Sequence, residues 1–415
     1  LIFLYDIALG AYALLLRLLV PFVPKAAAWV AGRRGLLAHI RHTIGADAAP
    51  RVWFHCASLG EFEQGRPLME AYRRAHPDTK IVLTFFSPSG YEIRKSWPGA
   101  DYIFYLPLDT KRNARAFLDV VQPQLVVFVK YEFWYHFLIQ TAQRGIPAVV
   151  VAAIFRPEQV FFQPWGGFFR RILGSFSHIF TQNEASAELL RGIGLARVSV
   201  AGDTRFDTVV ATATAPPRPL PLVEAFTADH APVLVAGSTW PEDLPSLTPL
   251  LQRYQGEWRF IVAPHEISET NLRLVEEALP GRVVRYSQAD AATVAQARVL
   301  LMDNVGLLSQ LYRFGTFAYI GGAFGKGLHN TLEAAAFGLP LFFGPTYGKF
   351  QEAVDLVELN CAFPVHNAQE LLKSFTQIWQ EEDLRLRLQD RMLEYVYGRA
   401  GATERILPEL KTRYE

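Results

Sequence analysis

The chain has 415 residues, 50% of them hydrophobic and 20% charged, which suits large buried cores and argues against a disordered chain. A net charge of +1 gives no electrostatic case for nucleic acid, so no nucleic-acid partner is expected. Cys56 and Cys361 lie far apart and in no ligand spacing, which fits a reducing compartment and suggests neither a disulfide framework nor a zinc site.

Residues Leu1 to Val23 are nearly all apolar, about the length that crosses a bilayer, but Asp6 and Arg17 interrupt them. On a helix, Asp6, Gly10, Ala13 and Arg17 fall on one narrow strip beside a broad apolar face. The segment reads as an oblique span or an interfacial anchor, with a buried core helix as the plain alternative. No basic residue precedes the run, which argues against a signal peptide. Lys25, Arg33, Arg34, Arg41 and His42 follow it, which predicts a cytoplasmic location for the downstream chain.

From Arg51 apolar runs alternate with helical patterns. The runs are VWFHCA, IVLTFF, YIFYLPL, LVVFVKY, AVVVAAIF, HIFTQ and VSVAG, with helices expected at Glu63–Ala75, Lys111–Val120 and Phe133–Arg144. Near-continuous β-branched and aromatic strands separated by helices predict a parallel, doubly wound sheet buried on both faces. Residues 211–221, rich in Ala, Thr and Pro, read as an interdomain linker. The alternation then restarts with PVLVAGS, RFIVAPH, VVRYS, VLLMD, FAYIGG, LPLFFGP and AFPV, and the segment from Leu371 to Tyr414 is helical. The expected class is α/β with two Rossmann-like domains. The expected division is a membrane anchor and basic segment over 1–45, a first domain over 46–210, the linker over 211–221 and a second domain over 222–415.

Ligands of open parallel sheets bind beyond the carboxyl ends of the strands, so the polar strand ends are the candidates. In the first domain these are Ser58-Leu59-Gly60-Glu61, Ser87-Pro88-Ser89-Gly90, Lys130-Tyr131-Glu132 and the run out to Arg156. Glu61 faces the crevice or simply favours a helix start, where the dipole welcomes a carboxylate. Glu132 is a second crevice group or a buried carboxylate paired with Lys130 or Arg156. In the second domain the ends are Gly237-Ser238-Thr239, Pro264-His265-Glu266, Asp303-Asn304-Val305-Gly306 and the loop Gly321 to Asn330. After Gly321-Gly322 a helix is expected to open at Asn330, capped by Asn330 with Glu333 completing a capping box. Free N–H groups there suit a phosphate, although an ordinary crossover has the same look. No aspartate pair has metal-ligand spacing, and no first-strand GxGxxG, Walker lysine motif or GxSxG elbow is present.

Read in order, these pieces resemble the 3-deoxy-D-manno-octulosonic acid (Kdo) transferases, membrane-associated glycosyltransferases of GT-B fold, over nearly the whole chain. The family's S-x-G-E matches Ser58–Glu61, its E-L-W matches Glu132-Phe133-Trp134, and its G-N-x-K-[FY]-D matches Gly202 to Asp207, including Arg205. Its G-G-H-N-P-L-E matches Gly327 to Glu333, and its G-P matches Gly344-Pro345. The sequence departs from the family's P-R-H-P-E at Ala263-Pro264-His265-Glu266, where the arginine is missing. M-G-E-L becomes Val305-Gly306-Leu307-Leu308, and E-T-E-L-W-P-N becomes Lys130 to His136. The chain therefore resembles a divergent branch.

The resemblance implies an inverting transfer of Kdo from CMP-Kdo to a lipid A precursor, with Glu61 as general base and no protein-bound metal or further cofactor. Ser58, Gly60, Glu132, Arg156 and Arg205 fall on the acceptor side. Ser238, Thr239, Pro264, His265, Asn304, Gly306, Gly321, Gly322, Lys326, His329, Asn330 and Glu333 fall on the donor side. Glu333 would hold ribose hydroxyls or act only as a capping partner. Lys25, Arg33, Arg34 and Arg41 would face the anionic cytoplasmic surface of the inner membrane and the acceptor's phosphates. The rivals are another nucleotide-sugar transferase or epimerase of the same fold, and a membrane-tethered nucleotide-sugar-binding protein without activity.

Overall fold

The computed structural model describes residues 1–130 and 132–414. The chain divides into two compact units, Leu1–Thr208 with Ala400–Glu415, and Val209–Arg399.

In the first unit, β1 (Arg51–Cys56), β2 (Lys80–Phe85), β3 (Tyr102–Tyr105), β4 (Leu125–Val129), β5 (Ala148–Ala153), β6 (His178–Thr181) and β7 (Val198–Val200) form one sheet. The order is β3-β2-β1-β4-β5-β6-β7 and every pairing is parallel. Alternation along β1 divides the core. Trp53 packs on one face with Phe117, Phe128 and Phe137, while Val52 and Phe54 pack on the other with Phe62, Leu68 and Met69. The strand order reverses between β1 and β4, which makes their carboxyl ends the switch point.

The second unit repeats the plan with β8 (Val233–Thr239), β9 (Arg259–Pro264), β10 (Val283–Arg285), β11 (Val299–Leu301), β12 (Phe317–Ile320), β13 (Leu341–Phe343) and β14 (Ala362–Pro364). These are parallel in the order β10-β11-β9-β8-β12-β13-β14, with the switch point between β8 and β12. Every apolar run read as a strand is one.

Two boundaries differ from expectation. The segment expected as a linker begins inside a helix, Thr204–Thr214, and ends at another, Pro221–Phe226. The last helix, Ala402–Tyr414, joins the first unit instead of the second: Ile406 and Leu410 pack with Leu68 and Met69. Asp207 fixes that return, its carboxylate accepting from the backbone N–H groups of Gly401 (2.6 Å), Ala402 (3.2 Å) and Thr403 (2.7 Å). These are the orphan donors of the terminal helix, so Asp207 caps a helix about two hundred residues away.

The N-terminal helix α1 (Ile2–Leu19) lies against the first unit through the strip predicted to be polar and small. Asp6 Oδ1 is 2.6 Å from His136 Nε2, Ala13 is buried, and Tyr5 donates to Asp109 at 2.6 Å. The broad face points away from the unit, with Phe3 75% and Leu18 64% exposed. This helix is long and apolar enough to anchor to a membrane.

Asp109 is the buried fixture of this contact. Besides Tyr5 it accepts from the N–H groups of His136 (3.0 Å) and Phe137 (2.9 Å), which open the helix Tyr135–Gln143. Asp109→Ala leaves these donors buried and unpartnered, and is expected to cost about 2–4 kcal/mol. Urea melts check this, together with protease sensitivity of α1; a loss within about 0.5 kcal/mol and an unchanged α1 would refute it.

Candidate functional site

In the first unit the predicted residues gather at the switch point. β1 ends at Cys56, and after a short turn Ser58 begins α4 (Leu59–Ala75). Glu61 reaches back to cap its own helix: Ser58 N donates to Glu61 Oε2 at 3.1 Å, and the Ser58 hydroxyl bonds the same oxygen. The helix-start role is therefore real. Oε1 has no hydrogen bond among the described residues, so the carboxylate keeps one basic oxygen at the strand end. Gly60 is the second residue of α4, and a side chain there would meet only Ser58 Oγ at 3.8 Å.

Across the switch point, after β4, Glu132 faces the same end of the sheet. Its Oε2 lies 3.0 Å from His55 Nε2 and accepts from Trp134 Nε1 at 2.6 Å. His55 is fully buried, and its Nδ1 lies 2.8 Å from Thr84 Oγ1, which also accepts from Trp53 Nε1 at 2.7 Å. His55 Nε2 also receives Trp134 Nε1 at 3.2 Å and its Nδ1 lies 3.1 Å from Thr84 O, so Glu132 is held at the end of a buried chain of polar groups. The negative charges of Glu61 and Glu132 converge here. After burial, they are the leading cause of a Cys56 thiol pushed well above its ordinary range.

Sequence reasoning offered Lys130 or Arg156 as the partner of Glu132 and missed His55. The available signal was one imidazole inside an otherwise apolar strand. Tyr131 lies outside the described residues. Arg156 is exposed, its backbone N–H bonded to Gln159, and Arg205 is forked onto Asp203 at 2.7–2.8 Å.

In the second unit β8 and β12 end side by side. Gly321 N donates to Gly237 O at 2.9 Å, and Gly321 passes so close to Ser238 that a Cβ would lie 2.3 Å from its carbonyl oxygen. Ser238 itself adopts φ 52°, a left-handed backbone unusual for serine. Around this point Trp240, His265 and His329 form a ring stack. Trp240 and His265 are 4.7 Å apart, His265 and His329 4.4 Å apart, and Trp240 Nε1 donates to His329 Nε2 at 3.0 Å. Lys326 Nζ sits 5.5 Å over the Trp240 ring.

Asp243 ties the two strand ends together, accepting from Trp240 N (2.8 Å), Gly322 N (3.0 Å) and the Tyr319 hydroxyl (2.9 Å). Neither Trp240 nor Asp243 was among the sequence candidates. The available signal was Asp243 three residues after Trp240, placed to accept from the Trp240 N–H at a helix start. Pro264 closes β9 beside His265. Asn304 and Gly306 follow β11, two strands from β8, and among the described residues no hydrogen bond or ring contact joins them to the stack. The side-chain oxygens of Thr239, Asn304 and Thr331 are buried without a partner, a pattern that a bound polar ligand would resolve.

The helix expected at Asn330 is shorter than predicted. Only Leu332–Ala335 is helical, with Thr331 preceding it. Asn330 Oδ1 accepts from Leu332 N at 3.1 Å, and its amide donates to Glu333 Oε1 at 3.1 Å, so the carboxylate meets the Asn330 side chain. A single turn carries little macrodipole.

Burial, and then the neighbouring His265, push His329 down to about 4, so it is neutral at pH 7 and acts as a hydrogen-bonding group. Its folded pKa lies below the unfolded value, so the unfolded chain binds the extra proton and stability falls as pH drops from about 6.5 towards 4. Thermal melts across that window are expected to flatten in His329→Gln. An unchanged pH slope would contradict the assignment.

Together these features define a chain of two Rossmann-like domains of the GT-B class, each with its polar groups at a switch point. A UDP-N-acetylglucosamine 2-epimerase from Neisseria meningitidis shares this fold, with TM-score 0.63 and 15% identity, covering 88% of this chain and all of that one. Residues 31–208 match the family described as 3-deoxy-D-manno-octulosonic-acid transferase (kdotransferase). The 3-deoxy-D-manno-octulosonic acid transferase of Chlamydophila psittaci is 26% identical over 74% of this chain and 72% of its own length. That of Aquifex aeolicus is 26% identical over 79% and 85%. The chain is thus similar to Kdo transferases, at about a quarter identity, over most of its length.

Proposed function

We propose that the chain is a glycosyltransferase of lipopolysaccharide synthesis that moves Kdo from CMP-Kdo to a hydroxyl of a lipid A precursor. The observation that carries this reading is the Ser58–Glu61 pair at the switch point, within the segment matching the Kdo transferase family. In the proposed step Glu61 Oε1 takes the acceptor hydroxyl's proton as that oxygen attacks the anomeric carbon. The bond from that carbon to the CMP phosphate breaks, and CMP leaves with the electron pair, inverting the centre.

Glu132, oriented by His55, shapes the acceptor side, and exposed Arg156 is a contact for an anionic group. On the donor side, Lys326, the hydroxyls of Ser238 and Thr239, and the amide of Asn330 would meet the departing phosphate. Glu333 would meet the ribose. The outward face of α1 lies on the cytoplasmic side of the inner membrane in this reading, close to the acceptor's acyl chains.

No metal takes part in the step so drawn. Among the described residues, no group of three or more His, Cys, Asp or Glu side chains is arranged for one. Dialysis against EDTA is expected to change turnover by less than about twofold; a larger loss restored by a divalent cation would overturn this part.

The deciding experiment is incubation with CMP-Kdo and a tetraacylated lipid A precursor, followed by mass analysis. A Kdo increment is expected. No increment across several acceptors refutes the proposal, as does UDP outcompeting CMP for the free protein.

A further inference from the structure

A cavity of about 700 Å³ lies within the first unit, away from Glu61 and Glu132. It is walled by the second half of α1, by α2 (Pro24–Ala31), by the opening of α3 (Leu36–Ile44) and by the loop at Pro107-Leu108. The volume is that of a site for a small ligand. Its lining includes Arg17, Arg33 and Arg34 and no carboxylate, and the remaining wall is largely apolar, from Val20, Val30 and Leu36 among others.

Arg33 shows what is missing. Its guanidinium lies 4.0 Å over the Trp29 ring, Nη1 donates to Trp29 O at 3.2 Å and Nη2 to Phe86 O at 2.8 Å. Nε is buried with no partner, and no carboxylate among the described residues forms an ion pair with this group. A cation so desolvated and held only by carbonyls and rings lacks its counter-charge, and burial draws its pKa down to about 9. Arg17 and Arg34, both exposed, add two more guanidinium groups at the same cavity. The first turn of α3 lines it too and has no side-chain cap.

One ligand chemistry answers all of these features: an anion for the arginines carried on an apolar stem for the wall, beside a helix whose other face is bare hydrocarbon. We propose that this cavity binds the phosphate and the proximal acyl chain of an anionic membrane lipid. The phosphate meets Arg17, Arg33 and Arg34 by charge-assisted hydrogen bonds, and the chain runs along Val30 and Leu36. The occupied cavity would join α1, α2 and α3 through one lipid. The Kdo-transfer reading is not needed for this, so the two can fail separately.

The test uses the full chain in a neutral detergent, with binding followed by calorimetry and native mass spectrometry. The probes are dioctanoyl phosphatidic acid, dioctanoylglycerol and inorganic phosphate. One phosphatidic acid per chain is expected, with the other two probes each at least about tenfold weaker. The double variant Arg17→Gln/Arg34→Gln removes exposed charges that do not hold the fold, and is expected to weaken phosphatidic acid at least about tenfold without shifting the melting temperature. Ala38→Phe, which fills the cavity from the exposed start of α3, is expected to do the same. A tetraacylated lipid A precursor that displaces the probe, with the same dependence on Arg17 and Arg34, supports the proposal with the acceptor as the lipid. Failure to displace, with probe binding intact, supports it with a bilayer phospholipid. Inorganic phosphate binding as tightly as the lipid, dioctanoylglycerol doing so, or both variants binding like the native chain would each overturn it.

Discussion

Glu61→Gln is expected to lower Kdo transfer by about 10²–10⁴-fold while leaving CMP-Kdo affinity and the melting temperature close to native. In the proposed mechanism one carboxylate does two jobs. As the third residue of α4, Glu61 accepts from Ser58 N, and glutamine serves that capping position nearly as well. What glutamine cannot do is remove a proton from an alcohol. The residues proposed to hold the donor belong to the second unit, so CMP-Kdo affinity is the expected constant. Glu61→Ala removes both jobs and is expected to add about 0.5–1 kcal/mol of destabilisation to the same kinetic defect. If Glu61→Gln keeps more than about a tenth of native turnover, the general-base role is lost and the carboxylate is a cap. If the two variants lose activity in proportion to stability, the conclusion is the same.

The strands were legible because a parallel sheet covered by helices needs apolar side chains on both faces. Runs such as Val52–Cys56 and Val233–Ala236 therefore stand out against the polar helices between them. Glu61 was legible for a local reason: the spacing Ser58-x-x-Glu61 says helix start and strand end together. Contacts made at long range left no such mark. The terminal helix reads as one more helix of the second domain, and only the three N–H groups gathered by Asp207 reveal that it returns to the first. His55 and Glu132 are separated by 77 residues, and their pairing depends on β1 and β4 being neighbours, which the strand order decides. The short helix after Asn330 marks the opposite error. The sequence offered a cap and a carboxylate at the right interval; Asn330 accepts from Leu332 N and donates to Glu333, but only one helical turn follows.

Gly321→Ala is expected to damage the proposed donor site. The backbone here is not left-handed, so close approach is the only reason for glycine. A Cβ would sit 2.3 Å from Ser238 O and 2.6 Å from Thr239 Cα, both backbone atoms that no rotamer change can move. Relief requires the ends of β8 and β12 to part. That would break the Gly321 N to Gly237 O bond and carry Ser238, Thr239 and the Asp243–Gly322 tie out of position. Overpacking of this kind costs about 1–3 kcal/mol, and a misplaced strand end should weaken CMP-Kdo by about tenfold or more. Gly325→Ala in the same loop is the matched control, because its nearest neighbour would be a Glu242 side-chain atom at 3.9 Å. Melting curves and CMP titrations of the two variants make the comparison. Equal affinity and equal stability in both would show that β8 and β12 do not form the nucleotide's seat, and the donor site would have to be sought elsewhere.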